Sequence, residues 1–344
     1  MSQNILITGA GGYIGGSILA DFLKSDTAPI INACVIAAVR SAQQADKIAK
    51  LGVKVVPLDM KDEKSVEETI IGNEIDVVLH TASSHEPNIA SHLIAALGRR
   101  CQLSGRLVSF IHTSGTTAFA PEAGWPAEQV KDTDNVYDIE KRISAHHPIR
   151  LTDVGVIDEG EAHGVNTYIV VVPSVYGKGS GEGKKLSIAF PIFIRASIRD
   201  RVVRRFDQDG TPFVSHISDL VSFYRLLTEN ILNGTALRSG KDGYYFPMAH
   251  KTSNWAVMNA FARRLHAAGL VEEAEPGTWT SDEAAAEALG IPVQIVRVMG
   301  THSTHLTPMK PHELGWKPKW NEELLLSDSC IDQEIQNVLE EDGA

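Results

Sequence analysis

The first half of the chain alternates short apolar runs, rich in β-branched residues, with longer amphipathic segments. Runs that are apolar at nearly every position are typical of strands buried on both faces of a parallel sheet. Six such strands are predicted, at residues 5–7, 33–39, 53–58, 76–82, 107–114 and 168–173. Because helical segments separate these runs, we expect an α/β fold with a doubly wound parallel sheet.

The pattern becomes irregular and more helical from about residue 179. We therefore predict a first domain over residues 1–178 and a smaller, mixed C-terminal lobe over residues 179–344. A segment near residues 205–235 is expected to return to the first domain and brace it.

A glycine-rich turn, TGAGGYIG, joins the first predicted strand to the first amphipathic segment. Gly9 allows a sharp turn, Gly12 lets the backbone approach a pyrophosphate, and Gly15 lets the helix pack close to the strand. The free amides at the start of that helix, which includes Tyr13 and Ile14, then face the bound phosphates. The turn therefore predicts a dinucleotide-binding site.

The spacing of this turn, Gly-x-x-Gly-x-x-Gly, resembles the extended, epimerase/dehydratase-like branch of the short-chain dehydrogenase/reductase superfamily. Four further motifs occur in that family's order: DVVLHTA at 76–82, VPSVYGKG at 172–179, VSHISDL at 214–220 and LGWKP at 314–318. The resemblance covers nearly the whole chain. It implies a Rossmann-type dinucleotide-binding domain followed by a substrate-binding lobe.

The end of the second predicted strand indicates which dinucleotide to expect. A ribose 2′-hydroxyl is usually held there by Asp or Glu, whereas a 2′-phosphate prefers the two-pronged guanidinium of Arg. This chain has Arg40 and Ser41 at that position, with no acidic residue before Asp46. We therefore expect NADP(H) rather than NAD.

The resemblance implies further cofactor contacts. Asp59 and Met60 match the family's adenine-contacting position at the end of the third strand, and Pro173 and Val175 match its segment beside the nicotinamide. The nicotinamide ribose would be lined by Ala82, Ser83 and Thr113, at the ends of the fourth and fifth strands, and Thr81 is also expected to bind the cofactor.

Catalysis in the superfamily normally uses a Ser or Thr after the fifth strand and a Tyr-x-x-x-Lys pair on the next helix. Tyr137 and Lys141 match the pair, at about the expected distance downstream of the fifth strand. The usual Ser/Thr position falls on Gly115, so the displaced candidates for the hydroxyl are Ser114, Thr116 and Thr117.

A second alignment gives a different result. Pro148 should end a helix that carries the first pair. Counting back from Pro173 instead puts the family's Tyr near Ile149 and its Lys near Asp153, on a segment over residues 151–163. This register contains no catalytic pair, so Ser114, Thr116 or a bound water would have to supply the proton. Both registers stay open at this point.

The leading functional interpretation is an NADP(H)-dependent oxidoreductase that acts on a small, hydrophobic organic carbonyl or alcohol compound. The alternatives are an NADP(H)-binding redox sensor, or a non-redox isomerase or cyclase, that lacks the Tyr-Lys pair. A nucleotide-sugar epimerase or dehydratase is less expected, since no Arg lies between Arg297 and Trp316 to clamp a diphosphate. A hydrophobic substrate pocket is predicted from Phe190, Phe193, Tyr244, Tyr245 and Phe246. The glycine-rich loop over residues 177–185 is expected to be a mobile segment over the mouth of that pocket.

Composition and charge limit the kinds of partner that the protein is expected to bind. The net charge of −11 argues against nucleic acid, and no apolar run reaches the ~18 residues that a membrane span needs. Neither the cysteines nor His302 and His305 have metal-ligand spacing, so no metal is expected. The three cysteines and the absence of a visible signal peptide favour a cytoplasmic protein. We expect a small-molecule substrate and a monomer or homodimer.

Overall fold

The protein is described by a computed structural model over residues 3–126 and 128–343. In this part of the chain the strands are β1 (Asn4–Thr8), β2 (Cys34–Val39), β3 (Lys54–Pro57), β4 (Ile75–His80), β5 (Ser109–Gly115), β6 (Val130–Lys131), β7 (Asn166–Val172), β8 (Ser174–Tyr176), β9 (Arg204–Arg205), β10 (Phe213–His216), β11 (Tyr244–Tyr245), β12 (His250–Lys251), β13 (Gly277–Thr278) and β14 (Leu306–Thr307).

The α-helices of the same residues are α1 (Tyr13–Lys24), α2 (Ala28–Ile31), α3 (Ala42–Ala49), α4 (Glu63–Gly72), α5 (Pro87–Ser104), α6 (Val136–Ile143), α7 (Pro148–His163), α8 (Ala189–Asp200), α9 (Ile217–Leu232), α10 (Asn254–Ala267), α11 (Asp282–Leu289), α12 (Val293–Gly300), α13 (Lys310–Glu313), α14 (Glu322–Leu325) and α15 (Asp328–Asp342). Short 3₁₀ turns occupy Thr116–Phe119, Pro121–Ala123, Ser144–His146 and Gly240–Asp242.

Seven strands form the main sheet, in the order β11-β7-β5-β4-β1-β2-β3, and every pair is parallel. The chain winds outward from β1 in one direction to β3, and then from β4 in the other direction to β11. The predicted α/β fold with a doubly wound parallel sheet is therefore confirmed. A crevice is expected at the carboxyl ends of β1 and β4, where the strand order reverses.

Two apolar layers enclose the sheet. One lies under α4 to α7 and includes Leu6, Val78 and Phe110, which are fully buried. The other lies under α1, α3 and α9, and includes Ile5 and Ile7 of the same strand. Successive residues of β1 therefore serve opposite faces, which explains why its sequence is apolar at consecutive positions.

The helix boundaries follow local signals in the sequence. Ser41 and Asp62 cap α3 and α4, since their side chains accept hydrogen bonds from backbone amides in the first turn. Pro148 occupies the first turn of α7, and Gly164 ends that helix in the left-handed conformation. The proline therefore starts a new helix rather than interrupting α6.

The C-terminal lobe has a third apolar cluster, formed mainly by α8, α10 and α15. Two elements from the second half of the chain return to the first domain. Helix α9 packs against α1, and β11 joins the edge of the main sheet beside β7. Two of the motifs noted in the sequence, at 214–220 and 314–318, are tied together, because Trp316 donates a hydrogen bond through Nε1 to the Asp219 carbonyl oxygen at 3.0 Å. The division of the chain at residue 178 stays a prediction.

Among the helices of the described residues, none is both long enough and apolar enough to cross a membrane.

A buried histidine lies at the end of β4, beneath the glycine turn. Nδ1 of His80 is 2.8 Å from the Thr8 hydroxyl, and the His80 ring stacks on that of His112. Burial lowers the pKa of His80 from 6.5 to about 3. The folded protein therefore holds this imidazole in its neutral form throughout the physiological range.

This burial predicts an acid-sensitive fold. As the pH falls below 6.5, the unfolded chain binds a proton at His80 that the folded chain excludes, so stability is lost on acidification. We expect this residue to lower the free energy of unfolding by about 1.4 kcal/mol per pH unit. Chemical denaturation between pH 6.5 and 4.5 measures the slope. His80→Asn should lower the slope by the amount that corresponds to one proton, about 1.4 kcal/mol per pH unit. His266→Asn, at an exposed position on α10, should leave the slope unchanged. Equal slopes in wild type and His80→Asn would contradict the assignment.

Candidate functional site

The glycines of the turn between β1 and α1 allow the backbone of α1 to pack closely against the end of the sheet. Gly9 has φ +72°, and the Gly12 amide donates a hydrogen bond to the Gly9 carbonyl oxygen at 2.8 Å. A Cβ built on Gly15 would stand 2.3 Å from the Thr81 hydroxyl, so only glycine lets α1 pack this closely on β4. The start of α1 therefore points its free amides at the carboxyl end of the sheet.

A cavity lies in the crevice at the ends of β1 to β4, and we call it the strand-end cavity. Eight of the residues predicted to bind the cofactor line it, namely Gly9, Gly12, Arg40, Asp59, Met60, Thr81, Ala82 and Ser83. Sequence reasoning missed Gln44, Lys61, Glu86 and Lys184, which also line it. These come from α3, from the segments before α4 and α5, and from a distant loop, so no local motif identifies them.

Arg40 lies at the exposed rim of the strand-end cavity, directly after β2. Its backbone amide donates a hydrogen bond to the Gln44 side chain at 3.2 Å. Of the two acids that line this cavity, Glu86 pairs with Lys61 at 3.2 Å, and Asp59 accepts a hydrogen bond from the Lys61 amide. The adjacent Ser41 has a local role, because its hydroxyl caps α3.

A second cavity continues from the first past the start of α1, and we call it the central cavity. The two cavities share Gly12, Thr81, Ala82 and Lys184. The predicted residues Tyr13, Ile14, Pro173 and Val175 line the central cavity. A dinucleotide laid along both cavities would cross the amino end of α1, where its phosphates meet the helix amides.

The third cavity, the lobe cavity, opens from the central one. Five residues line both, namely Thr116, Thr117, Ser174, Ala189 and Met299. Phe190 and Phe193 line it as expected. The prediction was wrong for the other three aromatics, because Tyr244 and Tyr245 form β11 at the sheet edge and Phe246 packs on Phe119 in the core.

Arg205 and His302 are the titratable side chains among the residues that line the lobe cavity. Arg205 stacks its guanidinium over Trp255 at 4.3 Å and donates a hydrogen bond to Asn259 at 3.1 Å. His302 lies 3.5 Å from the Glu122 carboxylate, and burial lowers the pKa of this histidine. Sequence reasoning missed both as pocket residues, because the segments that carry them lie far apart along the chain.

The side chains of β5 alternate between the two faces of the sheet. Ser114 donates a hydrogen bond to Asp153 on α7 at 2.5 Å, and His112 Nε2 lies 3.2 Å from the same carboxylate. Thr113 points to the opposite face, where its hydroxyl is 2.6 Å from that of Tyr224. The hydroxyls of Ser114 and Thr113 are thus engaged on the two faces of the sheet, whereas Thr116 lies where the chain opens into the cavities.

Tyr137 and Lys141 lie one turn apart on α6, which packs against α7. The Lys141 ammonium donates a hydrogen bond to the Tyr137 hydroxyl at 2.5 Å, and both bind the Asp158 carboxylate. Neither residue is among those that line the strand-end, central or lobe cavity. Burial and the bond to Asp158 raise the pKa of Tyr137, opposite to the lowering that the superfamily's lysine provides.

The other register falls on α7 itself. Ile149 packs against the apolar layer under this helix, and Asp153 holds Ser114. The carboxylate of Glu140, fully buried on α6, has its pKa raised by burial and by the charge of Asp153. The catalytic roles of Tyr137, Lys141 and Ser114 stay predictions.

A parallel sheet with a glycine turn and a cavity at its switch point is the arrangement typical of dinucleotide-binding α/β proteins. The chain belongs to the NAD dependent epimerase/dehydratase family, whose model matches residues 5–238. The family expected from the five motifs is thereby confirmed. No curated protein matches the chain significantly.

Solved structures with the same fold cover nearly the whole chain. Vestitone reductase from alfalfa is 16% identical, with a TM-score of 0.60 and 99% of each chain covered. The dTDP-glucose 4,6-dehydratase of Bacillus anthracis, in complex with NAD, is 12% identical, with a TM-score of 0.65 and coverage of 97% of this chain and 96% of that chain. UDP-glucose 4-epimerase of Thermus thermophilus, also with NAD, is 16% identical, with a TM-score of 0.61 and coverage of 98% and 99%. At these identities the likeness establishes the fold.

Proposed function

We propose that the protein is an NADP(H)-dependent oxidoreductase that transfers hydride between the nicotinamide and a small, hydrophobic carbonyl or alcohol compound. The observation that carries this proposal is the continuity of the three cavities. The central cavity shares Gly12 and Thr81 with the strand-end cavity, and Thr116 and Ser174 with the lobe cavity. A dinucleotide in the first two would present its nicotinamide at the opening of the third.

The lining of the lobe cavity supports a hydrophobic substrate, because it includes Phe190, Phe193, Phe206, Val257 and Met258. Arg205 is the one arginine that lines this cavity in the described chain, and it already stacks on Trp255. A diphosphate is usually clamped by more than one cationic group. A nucleotide-sugar substrate is therefore disfavoured, although two of the neighbours above are named for such sugars. We retain the cytoplasmic location and a monomeric or homodimeric state as predictions.

A second candidate is an NADP(H)-binding redox sensor. It is favoured by one observation: α7 contains neither Tyr nor Lys, and its Asp153 binds Ser114 beneath the cavity. A non-redox isomerase or cyclase would be compatible with the same absence. In the oxidoreductase, the proton that accompanies the hydride would come from Thr116, from a bound water or, in the alternative register, from the Tyr137–Lys141 pair.

A deuterium-transfer experiment separates these functions. The purified protein is incubated with NADPH carrying deuterium at C4 of the nicotinamide and with a panel of aldehydes, ketones and quinones. The oxidoreductase should deliver deuterium to the carbonyl carbon of at least one aldehyde or ketone, where the C–D bond does not exchange with water and mass spectrometry detects it. Reduction of a quinone leaves only exchangeable O–D groups, so it is followed by the oxidation of NADPH. Dinucleotide binding without NADPH oxidation by any compound would instead favour the sensor.

Arg40 predicts the cofactor preference. Its guanidinium is expected to pair with the 2′-phosphate, so the unmodified protein should bind NADPH more tightly than NADH. Arg40→Asp should reverse the preference, with NADPH affinity lowered about tenfold or more, as expected for losing a charge-assisted pair at an exposed rim. Fluorescence titration with both cofactors measures the ratio.

The matched control is Arg99→Asp, which makes the same charge change at an exposed position on α5 that lines neither cavity. It should leave the ratio of the two affinities unchanged. Equal affinity of the unmodified protein for NADPH and NADH would refute the role assigned to Arg40.

A further inference from the structure

The glycine-rich loop over residues 177–185, which we call the strap loop, packs directly on the turn between β1 and α1. A Cβ built on Gly183 would stand 2.1 Å from the Gly11 carbonyl oxygen, and one on Gly181 would stand 2.6 Å from the Gly16 carbonyl carbon. Backbone therefore meets backbone at these two points, and any larger residue would push the strap loop away.

Hydrogen bonds fasten the strap loop at both ends. The Tyr13 hydroxyl donates to the Gly177 carbonyl oxygen at 2.7 Å, and the Ser180 amide donates to the Ser17 hydroxyl at 3.2 Å. At the far end, the Lys184 amide donates to the Gly11 carbonyl oxygen at 3.1 Å. The strap loop therefore lies across the phosphate-facing turn, whereas the sequence had predicted a mobile segment over the substrate mouth.

This arrangement places Lys184 at the junction of two cavities. It is one of four residues that line both the strand-end and the central cavities, and the other three are Gly12, Thr81 and Ala82. The junction of these cavities lies at the amino end of α1, where the pyrophosphate of a dinucleotide belongs. Within the described ranges, no carboxylate lies within the 4.0 Å of an ion pair from its ammonium group. An exposed lysine with no ion pair among the described residues is therefore attached at the junction where the pyrophosphate is expected.

We propose that Lys184 binds the pyrophosphate of the dinucleotide and that the strap loop retains the bound cofactor. The inference rests on the proposed dinucleotide binding, but not on the reaction that follows. The amides of α1 contribute only partial charges, whereas a lysine ammonium adds a full positive charge to the diphosphate. Because the strap loop crosses the turn, the cofactor leaves only when the contacts between Gly183 and Gly11 open.

The test compares two neighbouring lysines of the full-length protein. Lys184→Gln should bind NADPH about tenfold more weakly, as expected for one charge-assisted contact. Lys185→Gln removes the same charge from an exposed position that lines neither cavity, so its affinity should stay within about twofold of wild type. Adenosine 2′-monophosphate, which lacks the pyrophosphate, should bind wild type and Lys184→Gln equally well.

Retention is tested separately by the dissociation rate in a stopped-flow displacement experiment. Gly183→Ala should release NADPH at least several-fold faster than wild type, because its methyl group cannot fit against Gly11. An unchanged rate in Gly183→Ala would overturn retention by the strap loop.

Two results would overturn the role of Lys184: equal weakening by the two lysine variants, or equal loss of affinity for NADPH and adenosine 2′-monophosphate. All of these measurements report binding rather than turnover. A wild type that binds NADPH but oxidises none would refute the oxidoreductase and leave this inference standing, whereas a wild type that binds no dinucleotide would overturn both.

Discussion

Gly12→Val is expected to abolish NADPH binding while the fold survives. A Cβ at this position would meet only the Gly9 carbonyl oxygen, at 3.0 Å, and the Gly12 backbone is extended, with φ −88° and ψ 176°. A valine therefore fits the backbone, but its side chain points into the junction of the strand-end and central cavities. Because the diphosphate would lose several amide contacts at once, we expect affinity to fall about 100-fold or more.

Calorimetric titration with NADPH and a thermal unfolding curve measure the two halves of this prediction. The matched control is Gly72→Val, at the end of α4, where a Cβ would meet no atom within 4 Å. It should keep the wild-type affinity. Gly15→Ala should behave differently from both and destabilise the protein, since its Cβ would stand 2.5 Å from the Gly9 carbonyl oxygen. Unchanged NADPH affinity in Gly12→Val would remove the basis of the dinucleotide site.

The main sheet could be predicted from the sequence because its strands are buried on both faces. Six apolar runs correspond to β1 to β5 and β7, with boundaries that differ by a few residues. The seventh strand could not be predicted. Tyr244 and Tyr245 form a two-residue strand, and their pairing with Ile169 and Val170 of β7 depends on contacts distant in sequence. Aromatic residues in a short segment are equally typical of a pocket, so the sequence predicts that these two tyrosines line the substrate pocket.

The cavity residues likewise divide into those that the sequence could predict and those that it could not. The glycine turn and Arg40 are contiguous with the strands that position them, so a local pattern was sufficient to bring them to one crevice. Lys184, Arg205 and His302 reach the cavities only through the packing of distant loops and lobe helices. No spacing rule connects residue 12 with residue 184, although four glycines in the strap loop indicate that something must approach its backbone closely.

The two catalytic registers differ because α6 and α7 are separate helices. From the sequence alone, Tyr137 and Lys141 match the superfamily's pair, and Pro148 was the signal that another helix follows. The alternation of side chains along β5 adds a second signal. Ser114 is two residues from His112, so both must face α7, and a buried acid on that helix is a natural partner.

Thr116→Val is expected to remove most of the turnover without weakening cofactor binding. The Thr116 side chain lines both the central and the lobe cavities, so its hydroxyl can donate a hydrogen bond to a substrate oxygen held beside the nicotinamide. Charge develops on that oxygen during hydride transfer, and losing one donor at such a position typically costs 10²–10³-fold in kcat. Valine has the same shape, so a fall of about 100-fold would report the hydroxyl itself.

Tyr137→Phe is the decisive comparison. Its hydroxyl is bound to Lys141 and Asp158, and Tyr137 lines none of the strand-end, central and lobe cavities, so the variant should keep kcat within about twofold of wild type. Thr116→Ser should recover most of the activity, because the donor returns. The three variants are assayed for kcat with the substrate found by deuterium transfer, and for NADPH affinity by titration. If Tyr137→Phe loses turnover 10²-fold or more while Thr116→Val keeps it, the Tyr-Lys pair is the proton source and α6 must approach the nicotinamide during the reaction.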